Sequence, residues 1–110
     1  KARFFFVTMP RDTTQPEREE VKAQHAALLR QFAAYFPHAY VIDLNAHAPV
    51  YDEAFHRQFF LGGHMNPAGY LFTARLFASY IDYIIRHNMA DFAQIGLIGT
   101  PHYREELDQR

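Results

Sequence analysis

Two apolar, β-favouring runs on either side of an amphipathic segment are the sequence feature that most constrains the fold. The first run, residues 3–9, is nearly continuous and stops at Pro10, which is typical of a strand covered on both faces in a parallel sheet. The second run, residues 39–44, has the same character. A strand, a crossover helix and a second strand predict a right-handed βαβ unit with parallel strands. The chain is therefore expected to be an α/β protein.

The segment between the two runs carries the pattern of the crossover helix. Thr14 and Glu17 have the spacing of a capping box, and Pro37 predicts that the helix ends near Phe36. His25 lies on the apolar side and is expected to be a satisfied boundary residue rather than a ligand. Large apolar residues recur at spacings of seven, four and three, which predicts a stripe that covers the sheet: Val21, Leu28, Phe32 and Tyr35.

Parallel sheets bind ligands beyond the carboxyl ends of their strands, and two segments are expected at that edge, residues 10–14 and 45–64. The first contains no glycine, which disfavours a phosphate-binding loop. The second is expected to be loop as far as Val50, with a short helix within residues 51–60. A third strand at 95–98 and a charged tail at 101–110 are predicted to follow a long helix that runs from Pro67 to about His87.

Residues 62–70 place a histidine on a glycine turn directly before this long helix. Asn66 suits the N-cap position, and Pro67 suits the first helical position because its missing N–H costs nothing there. Gly62 and Gly63 allow backbone angles closed to other residues, so His64 is expected at the mouth of a site rather than packed into a strand. This placement predicts a general base. The alternative is a loop histidine whose glycines serve only the turn.

The chain offers this histidine no nucleophile. It contains no cysteine, and its only serine, Ser79, lies about 12 residues inside the long helix, which is roughly 18 Å along the axis from His64. The threonines lack any recognisable nucleophile context. No two of the seven histidines have the i, i+4 spacing of a helical zinc pair, so no metal site and no cofactor are expected.

Charge and hydropathy exclude several classes of partner. Eleven basic residues against twelve acidic ones give a formal net charge of −1 without a long block of either sign, so no nucleic-acid partner is expected. Arg75 and Asp82 interrupt the apolar stretch of the long helix, which predicts that the chain has no membrane span. No signal peptide is recognised. The sequence hardly restricts the cellular compartment, and a cytoplasmic location is the working expectation.

The block from Gly63 to Tyr70, Gly-His-Met-Asn-Pro-Ala-Gly-Tyr, resembles the last conserved block of the SGNH (GDSL-type) serine esterase and lipase superfamily, in which a histidine precedes Asn or Pro and then Gly-Tyr at a helix start. Residues 41–45 and 80–85 are similar to a bacterial branch of that family. The resemblance covers most of residues 3–100. It implies the C-terminal part of a flavodoxin-like, three-layer α/β/α domain over residues 1–100, with about three parallel strands and two long helices.

The resemblance also implies a role for His64 as catalytic base to a serine located before Lys1, with Gly69 among the residues that set its geometry. The substrate implied is an acetyl or short acyl ester. The family pattern has an aspartate three residues before the histidine, where this chain has Leu61. Either the base works in a Ser-His dyad or another acid orients it, and Asp52 and Asp43 are the nearest candidates. Each is equally open to a structural reading, Asp43 as a strand-end turn residue and Asp52 as a solvated loop acid.

Two other functions remain open from the sequence. One is a non-catalytic binding or interaction domain on the same α/β scaffold, which Leu61 and the missing nucleophile favour. The other is a flavodoxin-type nucleotide or phospho-ligand domain, which the missing phosphate loop disfavours. Because a partial sheet leaves backbone donors and acceptors bare at its edge, the chain is expected to pair with its missing N-terminal half or with a copy of itself.

Overall fold

A computed structural model describes residues 2–93 as a mixed α/β protein. The strands of this range form two sheets of two strands each, and no helix within it is both long and apolar enough to cross a bilayer. The third strand predicted at 95–98 and the tail predicted at 101–110 lie outside the described residues. The elements follow in this chain order: β1 (Phe4–Val7), α1 (Pro16–Ala33), β2 (Ala39–Ile42), α2 (Leu44–His47), α3 (Glu53–Phe59), β3 (Phe60–Leu61), β4 (His64–Met65), α4 (Pro67–His87) and α5 (Met89–Phe92).

Strands β1 and β2 pair in parallel and α1 connects them, as the strand–helix–strand pattern predicts. Phe4 lies opposite Ala39 at the start of the ladder. Successive side chains of a strand point to opposite faces of its sheet. On one face Phe6 of β1 meets Phe32 of α1, with ring centroids 5.8 Å apart in an edge-on arrangement. Helix α1 therefore contacts that face.

The core lies on the other face of the β1–β2 pair, against α4. Phe5 and Tyr40 of the sheet pack against its buried cluster. Burial of an aliphatic side chain contributes about 2 kcal/mol to folding, so this cluster carries much of the stability of the sheet. The bounds predicted for the long helix α4 are confirmed. The cluster consists of one residue each from β2, α2 and α5 and two from α4: Ile42, Leu44, Phe92, Ile84 and Ile85.

The layer arrangement is established only in part. Helix α1 and helix α4 each pack on the β1–β2 pair, which has two strands within residues 2–93. The other sheet is an antiparallel pair of two-residue strands. A flavodoxin-like three-layer domain with three parallel strands therefore stays a prediction.

The start of α1 differs from the prediction. Its N-cap is Gln15, whose side chain forms no capping hydrogen bond, and Pro16 takes the first helical position. The Thr14 hydroxyl, expected in a capping box with Glu17, donates instead to Oδ1 of Asp12 at 2.5 Å. The same oxygen accepts from the Thr14 amide at 2.9 Å. The turn at residues 12–14 thus engages Thr14 before the helix begins.

The apolar stripe of α1 is also not buried as predicted. The buried residues of this helix are two alanines, Ala26 and Ala33, whose small side chains let the helix lie close to its neighbours. The helix ends at Ala33 rather than near Phe36. The large residues of the predicted stripe are at least half exposed: Val21 50%, Leu28 60%, Phe32 51% and Tyr35 84%.

Residues 60–65 form a hairpin that the sequence did not predict. Strands β3 and β4 are antiparallel, with Phe60 opposite Met65 and Leu61 opposite His64. Gly62 takes a φ of 65° in the turn, a conformation that tight hairpin turns require and that glycine adopts without steric cost. His64 therefore lies in a two-residue strand, which the sequence did not predict, but it is not packed there. The strand is so short that His64 stays exposed.

The close packing of Gly69 yields a test of this arrangement. A Cβ atom at Gly69 would lie 2.4 Å from the Phe59 carbonyl oxygen, whereas a Cβ atom at Gly63 would have no neighbour within 4 Å. Gly69→Ala is therefore expected to lower the free energy of unfolding by about 2 kcal/mol, as measured by urea denaturation. Gly63→Ala is the matched control and should change it by less than about 0.5 kcal/mol. Equal effects of the two substitutions would contradict the packing of α3 against the start of α4.

Candidate functional site

His64 stands free on the hairpin. Its side chain is exposed and forms no hydrogen bond, ion pair or ring contact with any residue in the range 2–93. Leu61, the residue opposite it, is 79% exposed. The imidazole of His64 is thus accessible, and none of the described side chains holds it in one orientation.

The backbone that carries His64 is fixed more firmly than its side chain. Asn66 caps α4, because its Oδ1 accepts from the Gly69 amide at 2.8 Å, and Pro67 occupies the first turn. The Asn66 side-chain amide donates to the Gln58 carbonyl oxygen at 2.9 Å. The hairpin is therefore tied to α3 on one side and to α4 on the other. The turn at Gly62 and Gly63 lies at the far end of the hairpin from these contacts.

The structure does not bring Asp52 or Asp43 to His64. Asp52 is the N-cap of α3, which confirms a short helix within residues 51–60, and its Oδ1 accepts from the Phe55 amide at 2.8 Å. Asp43 is the N-cap of α2, a helix that begins where loop was expected. Neither carboxylate makes a hydrogen bond or ion pair with His64. Orientation of His64 by one of them stays a prediction.

Asp43 is the centre of a buried polar network at the carboxyl ends of β1 and β2. It is 8% exposed and accepts from Thr8 Oγ1 at 2.9 Å. Arg30 of α1 donates to both carboxylate oxygens, through Nε at 2.7 Å and Nη2 at 3.1 Å. Burial by itself raises the pKa of Asp43, but the hydrogen bonds from Arg30 and Thr8 outweigh it and hold the pKa below the ordinary value of 3.8. These contacts make Asp43 a structural carboxylate.

A second carboxylate at the same edge, Asp12, binds a histidine. His56 of α3 places Nε2 2.8 Å from Oδ2 of Asp12, which is 6% exposed. The ring of His56 stacks on Phe60 at a centroid distance of 4.4 Å. Burial raises the pKa of Asp12, and the hydrogen bonds from Thr14 and His56 more than offset this, so its pKa is lowered.

The Asp12–His56 pair is the arrangement that sequence reasoning missed. The turn at Asp12 has a recognisable signal, an aspartate followed closely by Thr14, which favours a local side-chain turn. The histidine follows 44 residues later, and only the fold brings α3 to this turn. The bond to Asp12 orients His56. It leaves no free hydroxyl beside the histidine, because the Thr14 hydroxyl is already donated to Asp12. Thr14 is therefore engaged in structure rather than poised as a nucleophile.

The only serine of the chain lies in a separate place. Ser79 donates its hydroxyl to the Leu76 carbonyl oxygen of its own helix at 2.9 Å. It borders an open groove of about 470 Å³, in which His47 Nδ1 lies 2.9 Å from the Tyr80 hydroxyl oxygen; Tyr83 completes the lining. Ser79 thus has the bonding of a helix-surface residue. Among residues 2–93, no group of three or more His, Asp or Glu side chains is placed to hold a metal ion.

The network around Asp43 gives a pH test. A carboxyl group whose pKa is lowered by folding stabilises the folded chain above its unfolded pKa, and this contribution is lost as the pH falls through the folded pKa. Asp43→Asn is expected to cost about 2 kcal/mol at pH 7, and the difference from wild type should shrink as the pH falls through the lowered pKa of Asp43. Urea unfolding followed by circular dichroism across this range measures it.

The control for this test is Asp82→Asn. Asp82 pairs with Arg86 one helical turn away, and its side chain is 49% exposed, so its loss should cost less than about 0.5 kcal/mol at any pH. A cost for Asp43→Asn that is the same at pH 7 and pH 2 would show that the carboxylate charge does not stabilise the sheet edge.

Comparison of the chain with protein-family models, with curated proteins and with solved structures gives no match. The case for a function therefore depends on three features of the chain itself: the accessible His64, the capped start of α4 at Asn66, and the polar edge built around Asp43 and Asp12.

Proposed function

We propose that this chain is the C-terminal, base-bearing part of an SGNH-type serine esterase, and that His64 is its general base. The observation that carries the proposal is the state of His64, which is exposed and free of partners within residues 2–93, on a hairpin anchored directly before a capped helix. The sequence block from Gly63 to Tyr70 and the parallel β1–β2 pair support it. A three-layer flavodoxin-like domain in a cytoplasmic protein belongs to the same proposal.

In this proposal His64 first accepts a proton and later returns it. The serine, supplied from outside residues 1–110, attacks the ester carbonyl while His64 accepts its proton, and the imidazolium then returns the proton to the departing alcohol. Water releases the acyl group in the same way, with His64 again as base. The substrate class is an acetyl or short acyl ester on a carbohydrate or lipid-like molecule. No cofactor or metal is required by these steps.

The proposed site contains no acid that orients His64. Asp43 and Asp52 each cap a helix and are engaged there, so we assign His64 to a Ser-His dyad rather than to a triad with either of them. Loss of the orienting acid lowers the rate of a triad, by about four orders of magnitude in the best-studied case, without abolishing turnover. A slow esterase fits this arrangement better than a fast one.

A second candidate function is a binding domain on the same scaffold. The groove beside α4 favours it, because its volume of about 470 Å³ and its aromatic lining of Tyr80 and Tyr83 suit a small planar or sugar-like ligand. In that case His64 would be an ordinary exposed histidine. The two functions differ in whether His64 activates a serine.

Fluorophosphonate labelling of the longest natural chain that contains this segment separates the two candidates, with intact mass as the readout. We expect one serine of that chain to be labelled and His64→Ala to slow the labelling by at least about 100-fold, because a general base contributes that much to serine activation. His87→Ala, at the exposed far end of α4, is the matched control and should label at the wild-type rate. The 110-residue chain alone should not be labelled at Ser79.

Absence of labelling in a folded parent chain, or equal labelling of the parent and His64→Ala, would exclude His64 as the base of a serine esterase. If labelling depends on His56 instead, the general base would be His56 of the Asp12–His56 pair. Circular dichroism of each variant establishes that it is folded.

A further inference from the structure

Within residues 2–93, the edge of β1 that faces away from β2 has no strand partner. The amides of Phe4 and Thr8 donate to carbonyl oxygens of the β2 side, at 2.9 and 3.1 Å. Because the backbone groups of a strand alternate in direction, the amide and carbonyl groups of Phe5 and Val7 point away from β2. No residue in the range 2–93 bonds to them. Strand β1 thus has two donors and two acceptors without a partner among the described residues.

The surface beside this edge is apolar. A cavity of about 360 Å³ opens between the end of β1, at Val7 and Met9, and the α1 residues Leu28 and Leu29. Six large apolar side chains of β1, α1 and the residues just after β1 are 40–60% exposed: Phe4, Val7, Met9, Val21, Leu28 and Phe32. We call these six residues and the outer edge of β1 the β1–α1 surface. A bare strand edge next to exposed apolar groups is a template for pairing with another strand.

We propose that the β1–α1 surface binds a second copy of this chain, by antiparallel pairing of β1 with β1 across a two-fold axis at Phe6. In this register Phe5 of each copy lies opposite Val7 of the other. The outward donors and acceptors of both copies are then matched in two hydrogen-bonded pairs. The result is one four-stranded sheet in the order β2-β1-β1-β2. A two-fold contact of this kind is self-complementary and closes at two copies.

The same axis brings the two α1 helices together. A two-fold axis perpendicular to the sheet keeps both copies of α1 on one face, where they run antiparallel and place Leu28 and Phe32 toward the junction. The six side chains leave on the order of 500 Å² of apolar surface exposed per copy. A stable interface needs about 800 Å² per partner, so the proposed dimer must also bury the strand edge and the flanks of α1.

The small size of the sheet is a second reason to propose that another copy of the chain binds the β1–α1 surface. An isolated two-stranded sheet is marginal in water, and three or more strands are needed for independent stability. Within residues 2–93, β1 and β2 have no further strand neighbour. A second copy adds two strands and covers the apolar side chains of both copies at once. The pairing does not involve His64, and it is proposed for the 110-residue chain, in which the N-terminal part required by the proposed function does not compete for the edge of β1.

Sedimentation equilibrium of the 110-residue chain measures the pairing. At about 50 μM we expect a mass twice that of the 12.9 kDa chain. Val7→Lys charges the strand edge and Leu28→Glu charges the α1 side of the surface, and each should raise the dimer dissociation constant by at least 10-fold while the far-ultraviolet circular dichroism stays unchanged. Leu71→Glu, at an exposed apolar position of α4 (52% exposed), is the control and should leave the dimer intact.

A disulfide reports the register. The chain has no cysteine, and at a non-hydrogen-bonded antiparallel pair the two Cα atoms are about 4.5 Å apart, a distance that a disulfide spans. Phe6→Cys should therefore form a covalent dimer on oxidation, and Leu71→Cys should not. A monomeric wild-type chain, a mass that rises beyond the dimer with concentration, or a dimer unaffected by both Val7→Lys and Leu28→Glu would overturn the proposal.

Discussion

The carboxylate of Asp43 is the interaction on which the described fold depends most. It receives the hydroxyl of Thr8 at the end of β1, the guanidinium of Arg30 on α1, and the Ala46 amide in the first turn of α2. One side chain at the end of β2 thus fixes the strand pair, the crossover helix and the segment that leads toward α3. Since the carboxylate is 8% exposed, the network is stable only while all of these donors are in place.

The two histidines near the carboxyl edge of the sheet differ in what they are free to do. His56 is held by the buried Asp12 and stacked on Phe60, so its ring links α3 to the turn after β1. His64 has no partner among the described residues, although its backbone is anchored through Asn66. An incoming serine must be able to reach the base, and the His56 side chain is 26% exposed whereas His64 is exposed. This difference is why we place the proposed chemistry at His64 rather than at the better ordered histidine.

The exposed face of α1 follows from the same architecture. Helix α4 faces the main core with Ile84 and Ile85, whereas the buried residues of α1 are two alanines. The larger residues of α1, such as Leu28 and Phe32, are left at the border of the β1–α1 surface. Their exposure would be a liability in an isolated monomer. It has a physical explanation if the sheet continues beyond β1 into another copy of the chain.

Local chemistry in the sequence determined the elements whose signals are short-range. Pro67 after Asn66 placed the start of α4, and the apolar runs at 3–9 and 39–44 predicted the parallel pair, because capping and strand patterns depend on neighbouring residues. Tertiary structure decided the features that depend on distant partners. His56 reached Asp12 across 44 residues, and Thr8 and Arg30 reached Asp43 across 35 and 13 residues. Hydrogen bonds of this kind form only after the chain has been brought together, since their donors and acceptors are not neighbours in sequence.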